Sequence, residues 1–282
     1  MGNGAGARID FARRLGIVED AAPEPAMTDL HPAAAEGFAA GAATYAAGRP
    51  GYPAEIDDWL RDALGLAPGA AAVDLGAGTG KFTARLVATG AKVTAVEPVA
   101  AMRAELQRAV PGVSVLEGNA EAIPLPDESQ DALVSAQAFH WFATPAALAE
   151  IRRVLKPGGA LGLVWNVRDM RAGWVAALDA IMRPYEGDAP RHESGAWRRA
   201  FPAPGFTALL EQRFAYAHEG PPERVIVDRL MSVSFVAALG DAERAKVEDA
   251  IWALVAATPD LAGRERVAFP YETIACWCRR QD

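Results

Sequence analysis

Thiols and imidazoles are scarce in this chain, with two cysteines and four histidines among 282 residues. Cys276 and Cys278 stand two apart in an apolar C-terminal stretch, so a strand there points both to one face, a poor disulfide geometry. With no further cysteine and scattered histidines, no metal site is expected. Reduced thiols in a terminal strand suit the cytosol. Long apolar runs are also missing. Nothing approaches the roughly 20 residues of a spanning helix, so no membrane partner is expected. The N-terminus carries Arg8, Arg13 and Arg14 but lacks the apolar core of a signal peptide, and a cytoplasmic location is expected. Basic charge is short as well: 28 Lys plus Arg stand against 36 Asp plus Glu, a net charge of -8. That balance argues against a nucleic-acid partner, which leaves a basic footprint. Arg152, Arg153 and Lys156 do cluster, but at an expected helix end, where the dipole favours cations.

What remains is ordinary globular material, 51% hydrophobic and 23% charged, long enough for one elaborated domain. Residues 1–32 are rich in Ala, Gly and Pro with little periodicity and read as a flexible extension. Met27 lies close before the patterned sequence and is an alternative start. The domain is expected over 33–282.

The most informative segment runs from Val73 to Phe82. An apolar strand ends in Asp74, then Gly76, Gly78 and Gly80 alternate with small residues, and an amphipathic helix follows (Phe82, Leu86, Val87). A strand feeding a helix through a glycine turn is a nucleotide-binding architecture. Glycine tolerates positive φ and lets a ligand lie on bare backbone. A carboxylate beside the turn suits an ammonium and repels a pyrophosphate. A second strand, Ala91–Val96, ends at Glu97, whose carboxylate can accept from vicinal ribose hydroxyls. That ribose is common to S-adenosylmethionine and NAD. A helix over Val99–Ala109 follows, and Met102 either packs on adenine or joins the core. Val113–Asn119 reads as a third strand, and Asp131–Ala136 as a fourth. Lys156-Pro157-Gly158-Gly159 reads as a helix stop before a fifth strand over Leu161–Trp165. Sheets of this kind hold ligands beyond the carboxyl ends of their strands. Gln137, His140 and Trp141 follow the fourth strand, and Asn166 ends the fifth.

Asp74-Leu75-Gly76-Ala77-Gly78-Thr79-Gly80, Glu97, Gly118-Asn119-Ala120 and the Lys-Pro-Gly-Gly turn, in that order, resemble the class I S-adenosylmethionine-dependent methyltransferases. Tyr45-x-x-x-Arg49-Pro50-x-Tyr52-Pro53 and His140-Trp141-Phe142 resemble the methyltransferase type 11 group, which includes trans-aconitate methyltransferase-like proteins, and within it a His-Trp-Phe-bearing subgroup. The resemblance implies an α/β fold: a Rossmann-like, doubly wound, mostly parallel seven-stranded sheet with helices on both faces. It implies an N-terminal lid at about 38–55, a helical insertion at about 220–262 that caps the substrate, and S-adenosylmethionine as cofactor. On this resemblance Asp74, Gly76, Ala77 and Gly78 receive the methionine end, and Arg49 its carboxylate. Glu97 and Pro98 hold the ribose, while Met102, Asn119, Ala120 and Gln137 complete the pocket. The family usually has Asp at the position of Asn119, whose side-chain carbonyl is expected to accept from the adenine amino group. Tyr45 and His140 are the candidate catalytic residues. His140 is either a base for a hydroxyl or amine acceptor or a structural residue. Tyr52, Trp141 and Asn166 are expected on the substrate side. The acceptor is expected to be a small molecule, methylated on oxygen, nitrogen or carboxylate. Two other readings stay open: a nicotinamide-dependent oxidoreductase and a non-catalytic S-adenosylmethionine-binding protein. Further strands are expected over Arg213–His218 and Tyr271–Cys278, and helices over Pro53–Leu64, Glu223–Val233 and Asp241–Ala257.

Overall fold

The structure, a computed structural model, describes residues 49–187 and 190–282. The 1–32 extension with Met27, the start of the expected lid (38–48) and Tyr45 lie outside the described residues. In chain order come α1 (Glu55–Asp62), β1 (Ala71–Leu75), α2 (Thr83–Ala88), β2 (Lys92–Val96), α3 (Ala100–Ala109), β3 (Ser114–Leu116), β4 (Gln130–Ala136), α4 (Pro145–Val154) and β5 (Leu155–Arg168). After them come α5 (Gly173–Met182), β6 (Leu210–Gly220), α6 (Asp241–Ala257) and β7 (Val267–Arg279). The strands form one sheet in the order β3-β2-β1-β4-β5-β7-β6. All pairs are parallel except those of β7, which runs antiparallel to β5 and β6. The fold is therefore the Rossmann-like, seven-stranded α/β sheet that the motifs imply.

Alternation along the strands divides the core between the two faces of the sheet. Val73, Leu133, Leu161 and Leu163 pack with Leu148 and Ile151 of α4. Their neighbours Ala72, Ala132, Val134 and Val164 pack with Ile56, Trp59 and Leu60 of α1 and Leu86 of α2. Cys276 and Cys278 do share one face of β7, buried and unlinked. Burial pushes both thiols up to about 12, far from the reactive thiolate form.

Several boundaries differ from expectation for local reasons. The third strand shortens to Ser114–Leu116, because the Asn119 side-chain oxygen Oδ1 accepts from the amides of Glu121 and Ala122 (both 2.9 Å) and turns the chain there. The fifth strand instead lengthens, since Gly158 and Gly159 pair with Arg280 beyond the end of β7. Val87 is 41% exposed, so the apolar face of α2 is narrower than its sequence suggests. The segment after β6 starts as a π-helix, Glu223–Asp228, that continues into a single α turn, Arg229–Met231. It shares a third core with α5 and α6, through Val225, Leu178 and Ile251 among others. Two members of the expected cationic cluster are neutralised, Arg153 by Glu150 and Asp127, and Lys156 by Asp131. Among the described residues no helix is long and apolar enough to cross a membrane, and no group of residues could hold a metal ion.

Candidate active site

Helix α2 leads from β1 to β2 on one side, while β4 flanks β1 on the other. The chain thus opens a crevice at the carboxyl ends of β1, β2 and β4. A cavity of about 280 Å³ lies there. Its wall includes Asp74 through Thr79, Glu97, Pro98, Met102, Asn119, Ala120 and Gln137, so segments far apart in sequence meet around one space. Gly76 has φ 70°, and a Cβ on it would come within 2.8 Å of the Ala138 Cβ, so the turn can pass only as glycine.

The amides of this turn are largely committed to the protein itself. Those of Gly76 and Ala77 donate to the Val96 carbonyl, that of Gly80 to the Ala77 carbonyl, and that of Gly78 to Glu97 Oε2 at 2.9 Å. A pyrophosphate would need such amides free. The carboxylates tell a different story. Asp74 is fully buried; its Oδ2 accepts from Thr83 Oγ1 at 2.6 Å, while its Oδ1 is buried with no donor. Burial pushes the Asp74 pKa from its ordinary 3.8 up to about 7, with Thr83 acting against and Glu97 adding. Glu97 also accepts from the Val99 amide at 2.9 Å, and burial raises its pKa despite these amides.

Asn119 lines the cavity, but its oxygen already takes two backbone amides. The group left for a ligand is therefore Nδ2, a donor, where the sequence suggested an acceptor. Glu121 lines the same wall and accepts from Thr144 Oγ1 at 2.8 Å. Met102 is 2% exposed and faces both cavity and core.

A second cavity, of about 100 Å³, adjoins the first. Arg49, Gln137, Trp141 and Arg229 line both. Gln137 has φ 62°, a left-handed conformation rare outside glycine and a mark of strain at the shared wall. Arg49 Nη2 donates to the Ser232 carbonyl at 3.2 Å, tying the segment before α1 to the one after β6. His140 lines the smaller cavity. Its Nδ1 accepts from Trp165 Nε1 at 3.1 Å, so the neutral ring carries its proton on Nε2. Burial pushes the His140 pKa down to about 4. At neutral pH the ring thus offers an N–H rather than a lone pair.

Tyr52 and Asn166 serve the walls. Tyr52, 7% exposed, meets the Phe82 ring edge-on at 4.8 Å and borders the larger cavity, not the smaller one. Asn166 donates to the Gly51 carbonyl at 2.7 Å and accepts from Thr273 Oγ1 at 2.6 Å, joining the chain before α1 to β5 and β7. Sequence reading missed Thr83, the role of Trp165, and Arg168, Arg191 and Arg229 of the smaller cavity. Arg229 did carry a signal, a charge three and four residues after Ile226 and Val225 on an apolar helical face.

Residues 73–163 match the family model of a methyltransferase domain. An uncharacterized methyltransferase-like protein of Schizosaccharomyces pombe is 38% identical over 239 residues, 84% of this chain and 93% of that protein. An uncharacterized methyltransferase of Mycobacterium tuberculosis is 41% identical over 237 residues, again 84% and 93%. Among solved structures, a protein described as a methyltransferase from an antibiotic biosynthesis pathway of Anabaena variabilis superposes with a TM-score of 0.56 at 19% identity, covering 81% of this chain and 98% of that one. A protein described as a type II methyltransferase from Anaeromyxobacter dehalogenans gives 0.51 at 28% identity, covering 83% and 97%. The glycine turn, the buried carboxylate beside it and near-full-length similarity to methyltransferases agree, and the chain belongs to the class I S-adenosylmethionine-dependent methyltransferases.

Proposed function

We propose that the chain transfers a methyl group from S-adenosylmethionine to an oxygen, nitrogen or carboxylate of a small molecule, with the cofactor in the larger cavity and the acceptor in the smaller. The observation that carries this is Asp74 Oδ1, a buried carboxylate oxygen with no donor, set in the cavity wall beside the glycine turn. Such an oxygen is costly to bury until a cation meets it, and the α-ammonium of the cofactor is that cation. When bound, the cofactor supplies a methyl group already activated by its sulfonium.

The chain's own task is then binding and alignment, which can supply on the order of 7–11 kcal/mol of the barrier. Gly76, Ala77 and Gly78 let the methionine end lie against backbone, and Arg49 meets its carboxylate. The remaining lone pairs of Glu97 accept from ribose hydroxyls beside Pro98. Met102 and Ala120 flank adenine, and Asn119 Nδ2 donates to a ring nitrogen. Gln137 and Trp141, shared by both cavities, set the approach of the acceptor. Neutral His140 donates from Nε2 to orient it, held by Trp165. Tyr45, in the segment before Arg49, is proposed to close over the methyl group.

Calorimetric titration with S-adenosylmethionine, S-adenosylhomocysteine and NAD tests this reading. The first two bind and NAD does not; binding of NAD alone would overturn it.

A further inference from the structure

The smaller cavity is charged in a way that methyl transfer alone does not require. Among the described residues four arginines line it (Arg49, Arg168, Arg191 and Arg229) against one carboxylate, Glu193. Two of the four are deeply buried, Arg168 and Arg229, each 7% exposed. Arg168 gives Nη2 to Asp179 Oδ1 at 2.8 Å, but its Nη1 is buried with no acceptor. Arg229 is less satisfied still, with both Nε and Nη1 buried and unpartnered. Asp179 stands behind this wall and is divided among Arg168, Arg183 and Arg191, while Glu193 faces Arg191. The two buried guanidiniums feel each other: Arg229 adds to burial in lowering the pKa of Arg168. The same field reaches His218, which burial, Lys81, Arg229 and Arg224 together push down to about 4.

A buried cation without a counter-ion is among the most expensive groups a fold can keep. Here the fold goes further, since Arg229 sits where the π-helix Glu223–Asp228 passes into an α turn. Such wide turns cost hydrogen-bond geometry and concentrate at functional sites. Arg168 lines the smaller cavity only, whereas Arg229 lines both. An anion touching both therefore lies in the smaller cavity. Planar guanidinium groups match a carboxylate best. His192 adds two more buried, unpartnered ring nitrogens on the same wall, and its ring lies 4.7 Å from that of Trp165.

We infer that the methyl acceptor is a small organic acid whose carboxylate is held between Arg229 and Arg168 in the smaller cavity. This rests on the reading of that cavity as the acceptor site. It excludes neutral and cationic acceptors of the same size, because they leave Arg229 without a counter-ion and Arg168 Nη1 without an acceptor.

The test is a calorimetric titration of the protein, saturated with S-adenosylhomocysteine, with succinate and benzoate and with their neutral amides, succinamide and benzamide. Both acids are expected to bind and the amides to bind at least tenfold more weakly. Arg229→Gln and Arg168→Gln are each expected to weaken the acids at least tenfold, and Arg168→Gln to leave S-adenosylhomocysteine affinity within about threefold. Arg229→Met is expected to raise the melting temperature of the ligand-free protein by about 2–4 °C, since an uncompensated buried charge is removed. A purely structural arginine would lower it. Equal binding of acids and amides, or acid binding unchanged in both Gln variants, overturns the inference. If S-adenosylhomocysteine itself fails to bind, the cofactor reading falls instead, and the acids titrated into ligand-free protein still decide this cavity.

Discussion

Asp74 makes cofactor binding depend on pH in a direction that can be worked out. In the ligand-free protein its pKa is about 7, because burial opposes the charge more than Thr83 supports it. An ammonium beside the unpartnered Oδ1 favours the carboxylate, so binding lowers that pKa and releases a proton. At pH 7 the release is about half a proton per site. Above pH 7 the carboxylate is already ionised and affinity is at its plateau. Below it, each binding event must first remove a proton, and Kd for S-adenosylhomocysteine rises roughly eightfold from pH 7.5 to pH 6. This window lies below the ordinary range of an α-amino group, so the ligand keeps its own charge throughout. Calorimetry in two buffers of different ionisation enthalpy measures the released proton directly. Asp74→Asn removes the titrating group, so its affinity is weak and flat with pH. An eightfold change absent from the wild type, or present in Asp74→Asn, refutes the reasoning.

The same shift has a consequence for stability with the opposite sense. The folded-state pKa lies above the ordinary 3.8, so the stabilising contribution is complete below about pH 4 and is lost as pH rises through about 7. Moving a carboxyl from 3.8 to about 7 costs the ligand-free fold at most about 4 kcal/mol once the group is ionised. Asp74→Asn therefore melts higher than wild type at pH 8 while binding the cofactor worse. A variant that loses both stability and binding would place Asp74 in the framework rather than the site.

Other substitutions test other parts of the site. Thr83→Val removes the 2.6 Å bond to Asp74, so the midpoint of the pH dependence moves upward; an unchanged midpoint denies Thr83 that role. Asn119→Asp keeps one oxygen for the turn amides but turns the Nδ2 donor into an acceptor facing the same ring nitrogen, so S-adenosylhomocysteine binds about threefold to tenfold more weakly, read by calorimetry. Trp165→Phe frees His140 Nδ1, and turnover falls while cofactor Kd stays within about threefold; equal losses in both would make Trp165 a packing residue only. Gly76→Ala places a Cβ within 2.8 Å of Ala138 at φ 70°, and costs on the order of 1–3 kcal/mol, measured by thermal denaturation with and without cofactor.

The parts of this molecule that were legible in the sequence are those whose partners lie close along the chain. Asp74, the glycine turn and α2 form one local unit, and Glu97 closes on that unit through the Gly78 amide only 19 residues away. The strand order needed one more regularity, that parallel strands joined by helices wind in one hand. The turn at Asn119 is readable too, since a short amide after glycine can take the amides two and three residues on, and that turn leaves Nδ2 rather than the side-chain oxygen for a ligand. What could not be read is whatever two remote segments decide together. The tautomer of His140 is set by Trp165, 25 residues later on β5. Asn166 has the composition of a substrate contact and spends both ends of its amide on Gly51 and Thr273, 115 and 107 residues away.

That division follows the chemistry of the reaction. One cofactor serves many methyltransferases, so its site can be a compact motif that survives on any chain able to form β1, the turn and α2. The acceptor differs from enzyme to enzyme, and the cavity proposed for it is assembled from the ends of β4 and β5, the chain after α5 and the segment after β6. No spacing rule connects Arg168 with Arg229, because they stand 61 positions apart, across α5 and the whole of β6. Only the fold brings their unpartnered nitrogens to one wall, and only burial turns two unremarkable arginines into a demand for an anion. On the proposed function the cofactor is thus written locally in this chain, and the acceptor in its tertiary electrostatics.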